Sequence, residues 1–315
     1  MKTRKGKQLQ SAPPGTLCGW LSAGARGFTR VDLVAIIAVL GVSLLILLPA
    51  LARPGLNSKT IQCLNNNRQL QNAWRMYADD NSDTLVFAST GAGGGRSGGS
   101  VPIDVGNPND PNNFAWSGAH MDFNGANRGN WDPTFDMQKR PLWPYTSRNT
   151  SIYKCPCDTS TVNFLGKTYP RILSMAMNLY VGGFAPTSGS VGTDGGWPFA
   201  APYRIYSKLS LINSPSSIFV FLDVRQDAAN WSVFMQDTTG YSPNNPASYM
   251  FSDIPGMYHD RAASFSFADG HTEMKRWFDS RTTPPLLPAG QILNIGSSPN
   301  NPDIYWLQSH STALK

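Results

Sequence analysis

The chain has 315 residues, 41% of them hydrophobic and only 15% charged, so a packed core is expected and wholesale disorder is excluded. Glycine and proline number 29 and 24, which favours a turn-rich, β-rich body over a helical bundle. The net charge of +6 is not a nucleic-acid signature, because Lys2, Arg4, Lys5, Lys7 and Arg26 precede residue 28 with no acid among them. The other residues carry 21 bases against 20 acids, whereas a phosphate-gripping protein keeps its positive excess on its folded body. No nucleic-acid partner is expected.

Residues 1–27 read as a basic leader. From Leu33 to Leu48 the chain is apolar and uncharged, and extending that run to Ala52 gives twenty residues, about 30 Å of helix and enough to cross a bilayer. The bases lie upstream, so the N-terminus is placed in the cytoplasm and everything after Ala52 is exported. The lone carboxylate of Asp32, at the edge of the apolar run, is costly in lipid and marks a functional position. A competing reading is a secretory signal peptide, since Ala50-Leu51-Ala52 supplies an A-x-A cleavage site.

Residues 53–80 read as the soluble continuation of that helix, kinked at Pro49. Ile61, Leu64, Leu70, Trp74, Tyr77 and Ala78 recur at three- and four-residue spacing, with Asn65, Asn66, Arg68 and Gln69 expected on the opposite face.

Residues 81–315 read as an exported globular body. The glycine tract 91–100 lacks the Gly-Lys-Ser/Thr of a phosphate loop and reads as a surface loop. Asp104 to Asn113 is rich in oxygen ligands, but calcium is not supported because the EF-hand spacing is absent and turn chemistry accounts for the composition. Strand-forming runs follow at 151–154, 172–180, 217–223, 262–268 and 272–278, the pattern of an antiparallel sheet. Asp269-Gly270 reads as a two-residue type I′ hairpin turn, pairing Phe267 with Thr272, Phe265 with Met274 and Ala263 with Arg276.

His259, Asp269 and His271 are metal-ligating types, but an extended strand holds His259 roughly 20–30 Å from Asp269, so no metal is assigned to them. His259 is expected to orient the strand entrance near Asp279. No nucleophile elbow, zinc-protease motif or nucleotide fingerprint occurs, and no catalytic residue or cofactor is expected. Abundant Asp, Trp and Tyr leave a polysaccharide-binding body open, and an enzyme released at Ala52 is a further alternative.

Two motifs give the chain a family resemblance. Arg26-Gly27-Phe28-Thr29-Arg30-Val31-Asp32-Leu33, followed by the apolar helix, resembles the type IV prepilin processing signal. His259, nine residues, then Asp269-Gly270 resembles the H-X9-DG signature that closes large prepilin-like proteins of planctomycete and verrucomicrobial type. Cys63-Leu64-Asn65-Asn66 and Tyr153-Lys154-Cys155-Pro156 are similar to positions of the same group. The resemblance implies an α+β, pilin-like fold with a long N-terminal helix packed on an antiparallel sheet. It implies a structural subunit of a type IV pilus or a type II secretion-type assembly. A prepilin peptidase would cut between Gly27 and Phe28 and N-methylate Phe28, and residues 28–52 would be the transmembrane and assembly helix. Asp32, at mature position five where the family normally has Glu, would pair with a neighbouring subunit's α-amino group. The partners implied are that peptidase, other pilin-like subunits and the inner membrane, with the body periplasmic or on the cell surface. An exported binding protein using the same route without polymerising is the alternative.

On that reading Cys18 leaves with the leader, and Cys63, Cys155 and Cys157 reach an oxidising compartment. The expected disulfide joins Cys63 to Cys155, which occupies the family's Cys-Pro position. Pairing of Cys63 with Cys157, or three reduced buried thiols, stays open. A zinc site is set aside because no fourth ligand is evident.

Overall fold

The computed structural model describes residues 29–51, 58–90, 104–185, 202–227, 232–294 and 296–315, with side chains in the first stretch described as far as Ser43. The leader, Gly27 and Phe28 lie outside the described residues, as do the tract 91–100 and residues 53–57. Two units are distinguished, one ending at Gly55 and the other running from Leu56 to Lys315.

In the first unit, helix α1 spans Arg30–Leu51. Its start is fixed by Thr29 and Asp32. The Thr29 N–H donates to Asp32 Oδ2 at 2.9 Å while the Asp32 N–H donates to Thr29 Oγ1 at 3.2 Å, a reciprocal capping box. Apolar side chains then point outward all round, with exposures from 45% at Ile36 to 76% at Val31. Among the described residues no helix is long and apolar enough to cross a membrane; the described side chains of α1 stop at Ser43, short of the expected end at Ala52.

In the second unit, helix α2 spans Ser58–Asp80. Its buried stripe is Thr60, Cys63, Asn66, Asn67, Leu70, Gln71, Trp74, Tyr77 and Ala78, whereas Ile61 is 48% exposed. The expected face is therefore corrected in the first half of the helix: Asn66 points inward and Ile61 outward. The reason is the surface beneath, where Asn67 Nδ2 donates to Ser264 O at 3.2 Å and Asn66 Nδ2 donates to Lys154 O at 3.0 Å. The two amides meet a serine of the sheet and the carbonyls of the 150–154 segment, and the hydrogen bonds offset the desolvation of both partners.

The strands are β1 (Thr161–Phe164), β2 (Lys167–Pro170), β3 (Met175–Asn178), β4 (Phe219–Asp223), β5 (Val233–Phe234), β6 (Ala262–Phe267) and β7 (Thr272–Arg276). β1 and β2 form a separate hairpin, and the other five form one sheet in the order β5-β3-β4-β6-β7. The architecture is α+β, as the sequence suggests. The main sheet is mixed rather than purely antiparallel, because β5 runs parallel to β3, with Met177 opposite Val233. Residues 151–154 are not a strand: Thr150–Tyr153 is a single 3₁₀ turn that Asn149 caps through the Ser151 N–H. Helix α3, Pro302–Ser311, has no counterpart in the sequence reading.

Every residue of β6 is buried, and the two sides of that strand explain why. Ser264 faces Asn67 of α2, while the Phe265 ring lies 5.0 Å from that of Trp306 on α3 and 5.9 Å from that of Trp277. Helix α2 covers one face of the sheet and α3 the other.

The β6–β7 register differs from the expected one by a single residue: Ser264 pairs with Met274 and Phe265 with Glu273. The connection is three residues long, not two. The Phe267 N–H donates to His271 O at 3.0 Å, and Gly270 sits at φ +101° as the left-handed residue that closes a three-residue hairpin. One extra loop residue moves every β7 side chain to the opposite face.

Candidate functional site

Gly27 and Phe28, the expected processing residues, fall outside the described residues, and Asp32 is engaged with Thr29 as described above. Asp269 and Gly270 form the exposed hairpin tip. There Asp269 Oδ1 lies 2.6 Å from His271 Nδ1, and Arg75 of α2 donates to Asp269 O at 2.7 Å. His259 is not part of that hairpin, and Asp279 is not its neighbour. Asp279 caps the 3₁₀ turn Ser280–Thr282 and pairs with Arg281.

What redirects His259 is the turn that follows it. Asp260 and Arg261 both have positive φ, at 55° and 60°, and the His259 N–H donates to Ala262 O at 3.4 Å. This is the backbone signature of a tight two-residue turn, adopted here by two non-glycine residues. The chain doubles back before entering β6, and the imidazole turns under α2 instead of extending along the strand.

There it joins Cys63 from α2, Cys155 from the loop before β1, and Asp223 at the end of β4. One ligand atom from each of the four lies within 4.8 Å of every other, and all four residues are buried. His259 Nε2 is 3.3 Å from Cys155 Sγ, and its Nδ1 is 3.1 Å from Thr60 Oγ1 and 3.9 Å from Cys157 Sγ. Cys63 Sγ is 3.1 Å from Ser264 Oγ. Ser264 donates to Asp223 Oδ1 through both its N–H and its hydroxyl, the latter at 2.7 Å. Asp223 Oδ2 is buried without a hydrogen-bond partner. Residue 256 is glycine for a related reason, since a Cβ there would stand 2.1 Å from that oxygen.

The surroundings hold each group in place. The Cys155 N–H donates to Ser174 Oγ at 2.9 Å, and Asn66 of α2 grips the carbonyls of Ser151 and Lys154 just before it. Beside Cys155 opens a cavity of about 320 Å³ lined by Gln62, Asn66, Pro156, Asp158 and Arg171.

Low polarity dominates the electrostatics. Burial raises the pKa of the Cys63 thiol and of the Asp223 carboxyl, although the His259 charge and the Ser264 hydrogen bonds hold the carboxyl back. The Cys155 thiol is raised by its hydrogen bond with Cys63 and by burial, and Cys157 is pushed up to about 11 by burial. Burial opposes the protonated form of His259, yet the Cys155 contact and the Asp223 charge together raise its pKa.

The expected disulfide partners, Cys63 and Cys155, are thus brought together but as free thiols, and Cys157 is free beside them. Two further members of the cluster have no local signature in the sequence: Asp223 closes an expected strand, and His259 is expected at the entrance of β6 rather than under α2. The local signal for His259 was Asp260-Arg261, a pair that does not advertise a type I′ turn. Comparison with family models, with curated proteins and with solved structures finds no match to this chain.

Proposed function

We propose that the chain is a pilin-like or pseudopilin-like structural subunit, anchored by α1 and exporting the body that follows, and not an enzyme. The observation that carries this reading is the surface of α1. Val31, Leu33, Val34, Ile36, Ile37, Val39, Leu40 and Val42 all stand exposed on one helix, which an isolated water-soluble protein does not sustain. Lipid before assembly and the helices of neighbouring subunits after it are the surroundings that such a helix needs. The basic leader orients it, and the resemblance of 26–33 to a prepilin signal supplies the processing route.

Asp32 carries two candidate roles, and they are separable. As a capping residue it serves its own helix through Thr29. As the charge at mature position five it would neutralise the α-amino group of a neighbour's Phe28. Asp32→Asn keeps an oxygen for the cap and removes the charge, so it is expected to be processed normally and to fail to enter assemblies. Mass spectrometry of the mature N-terminus is expected to find N-methylated Phe28 in the wild type and an uncleaved chain in Gly27→Val. A mature start at Arg53 would overturn the reading, and normal incorporation of Asp32→Asn would reduce Asp32 to a cap.

A further inference from the structure

We propose that Cys63, Cys155, His259 and Asp223 hold one zinc ion that pins α2 to the sheet. The donor set is two sulfurs, one imidazole nitrogen and one carboxylate oxygen, types that zinc takes in tetrahedral array. With bonds of about 2.1–2.3 Å, such a centre sets its donor atoms about 3.4–3.8 Å apart. The 3.3 Å between His259 Nε2 and Cys155 Sγ, and the 4.8 Å limit on all pairs, place the four donors around that geometry with inward shifts on the order of 1 Å.

Two details point to a ligand rather than to packing. His259 directs Nε2 at the sulfur while Nδ1 faces Thr60 Oγ1, the outer-sphere hydrogen bond that fixes the tautomer of a metal-bound histidine. Asp223 anchors Oδ1 on Ser264 and leaves Oδ2, fully buried, without a partner. Gly256 leaves room for that oxygen where any side chain would collide with it. A disulfide between Cys63 and Cys155 would consume both thiols and still leave the Asp223 oxygen unpaired. A metal gives both sulfurs, the imidazole nitrogen and the carboxylate a common partner. Four protein ligands close the coordination sphere, so the centre is structural and offers no position for a substrate. Cys63 and Cys155 would bind as thiolates, each releasing its proton to solvent, and the cavity beside Cys155 gives the ion a way in.

The site does not depend on whether the chain enters a filament, and its test reads metal rather than assembly. The full chain, purified in detergent without chelator, is expected to contain about one zinc per chain, with Cys63→Ser and Cys155→Ser each below about 0.2 and Cys157→Ser close to the wild type. Cobalt substitution of the wild-type chain needs no variant. It is expected to give the intense visible bands of tetrahedral cobalt and a thiolate-to-cobalt charge-transfer band in the near ultraviolet. Zinc below about 0.2 per wild-type chain with no cobalt signature would overturn the proposal. So would a Cys63–Cys155 disulfide in the non-reducing peptide map, or zinc loss in Cys157→Ser equal to that in Cys63→Ser.

Discussion

The two units invert one another. Helix α1 carries its apolar side chains outside, and the body carries polar ones inside: Asn67, Gln71, Asp136, Arg140, Asp223 and Asp253 are all buried. The described apolar side chains of α1, from Val31 to Val42, all stand exposed, and a helix with such a surface is specified by its surroundings. A body that buries amides, carboxylates and a guanidinium is specified from within, because each of those groups demands a partner in a fixed place. α2 shows the inside rule most directly. It is one residue longer than α1, but Thr60, Asn66, Asn67 and Gln71 face inward, and Asn66 and Asn67 are held by individual hydrogen bonds to the body.

The sharpest break of this comparison is a charge in the middle of α1. Val39→Arg places a guanidinium where the apolar surface is continuous, at a cost of about 3 kcal/mol in a bilayer centre. Alkaline extraction of membranes is expected to release most of the variant and to leave the wild type behind. The thermal midpoint of the body, followed by tryptophan fluorescence, is expected not to move. A fall in that midpoint would mean that the two units are not independent in stability.

Inside the body the largest single effect is expected at Arg140. Its Nε donates to Asp136 Oδ1 at 2.6 Å, its Nη1 donates to Asn112 O at 2.6 Å, and both members of the ion pair are almost fully buried. Arg140→Met fills much of the volume but leaves the Asp136 charge without its cation. Denaturant unfolding is expected to show a loss of about 3–5 kcal/mol. The double variant Arg140→Met, Asp136→Leu is expected to recover a large part of it, since a buried pair is costly to break and cheap to replace as a whole.

Legibility in the sequence followed the same division. The apolar run of α1, the β4, β6 and β7 strands and the turn at Asp269-Gly270 were visible because periodicity and turn composition are local signals. The register of β7, the inward face of α2 and the four-residue cluster were not. The register turns on one extra loop residue between Phe267 and His271, which the Asp-Gly pair does not specify. The other two depend on where a polar group finds its partner, and those partners lie far away in the chain: Asn67 meets Ser264, and Cys155 meets His259. α3 carries ordinary start signals, Asn301 as its cap and Pro302 opening it, but is only 10 residues long, too short for periodicity to mark it. The β1–β2 hairpin turns on Leu165-Gly166, both at positive φ, and leucine gives no hint of that conformation.

Asp253 makes the interior rule depend on pH. Burial raises its carboxyl to about 7, against which the Met235 N–H at 2.6 Å is only a partial offset. Between about pH 4 and 7 the unfolded chain has lost this proton while the folded body keeps it, so stability falls as pH rises. The loss is complete above pH 7 and amounts to at most about 4 kcal/mol. Asp253→Asn cannot titrate. Comparing unfolding midpoints at pH 5 and pH 8, the wild type is expected to lose stability that the variant keeps. An equal fall in both would remove Asp253 as the source.

The smallest expected effect is a gain. Gln71 lies in the inward stripe of α2, fully buried, and neither its Oε1 nor its Nε2 has a hydrogen-bond partner. Asn66 and Asn67, one turn earlier, find carbonyls and a serine, whereas Gln71 has only the desolvation cost of its amide. Gln71→Met keeps the length and flexibility of the side chain, favours the helix slightly and removes both unpartnered atoms. The body is expected to gain about 1–2 kcal/mol, seen as a higher thermal midpoint with an unchanged denaturant slope. Gln71→Leu, whose branch departs from the unbranched shape of the glutamine it replaces, is expected to gain less. A loss of stability in the methionine variant would show that the Gln71 amide has a partner that the substitution removes.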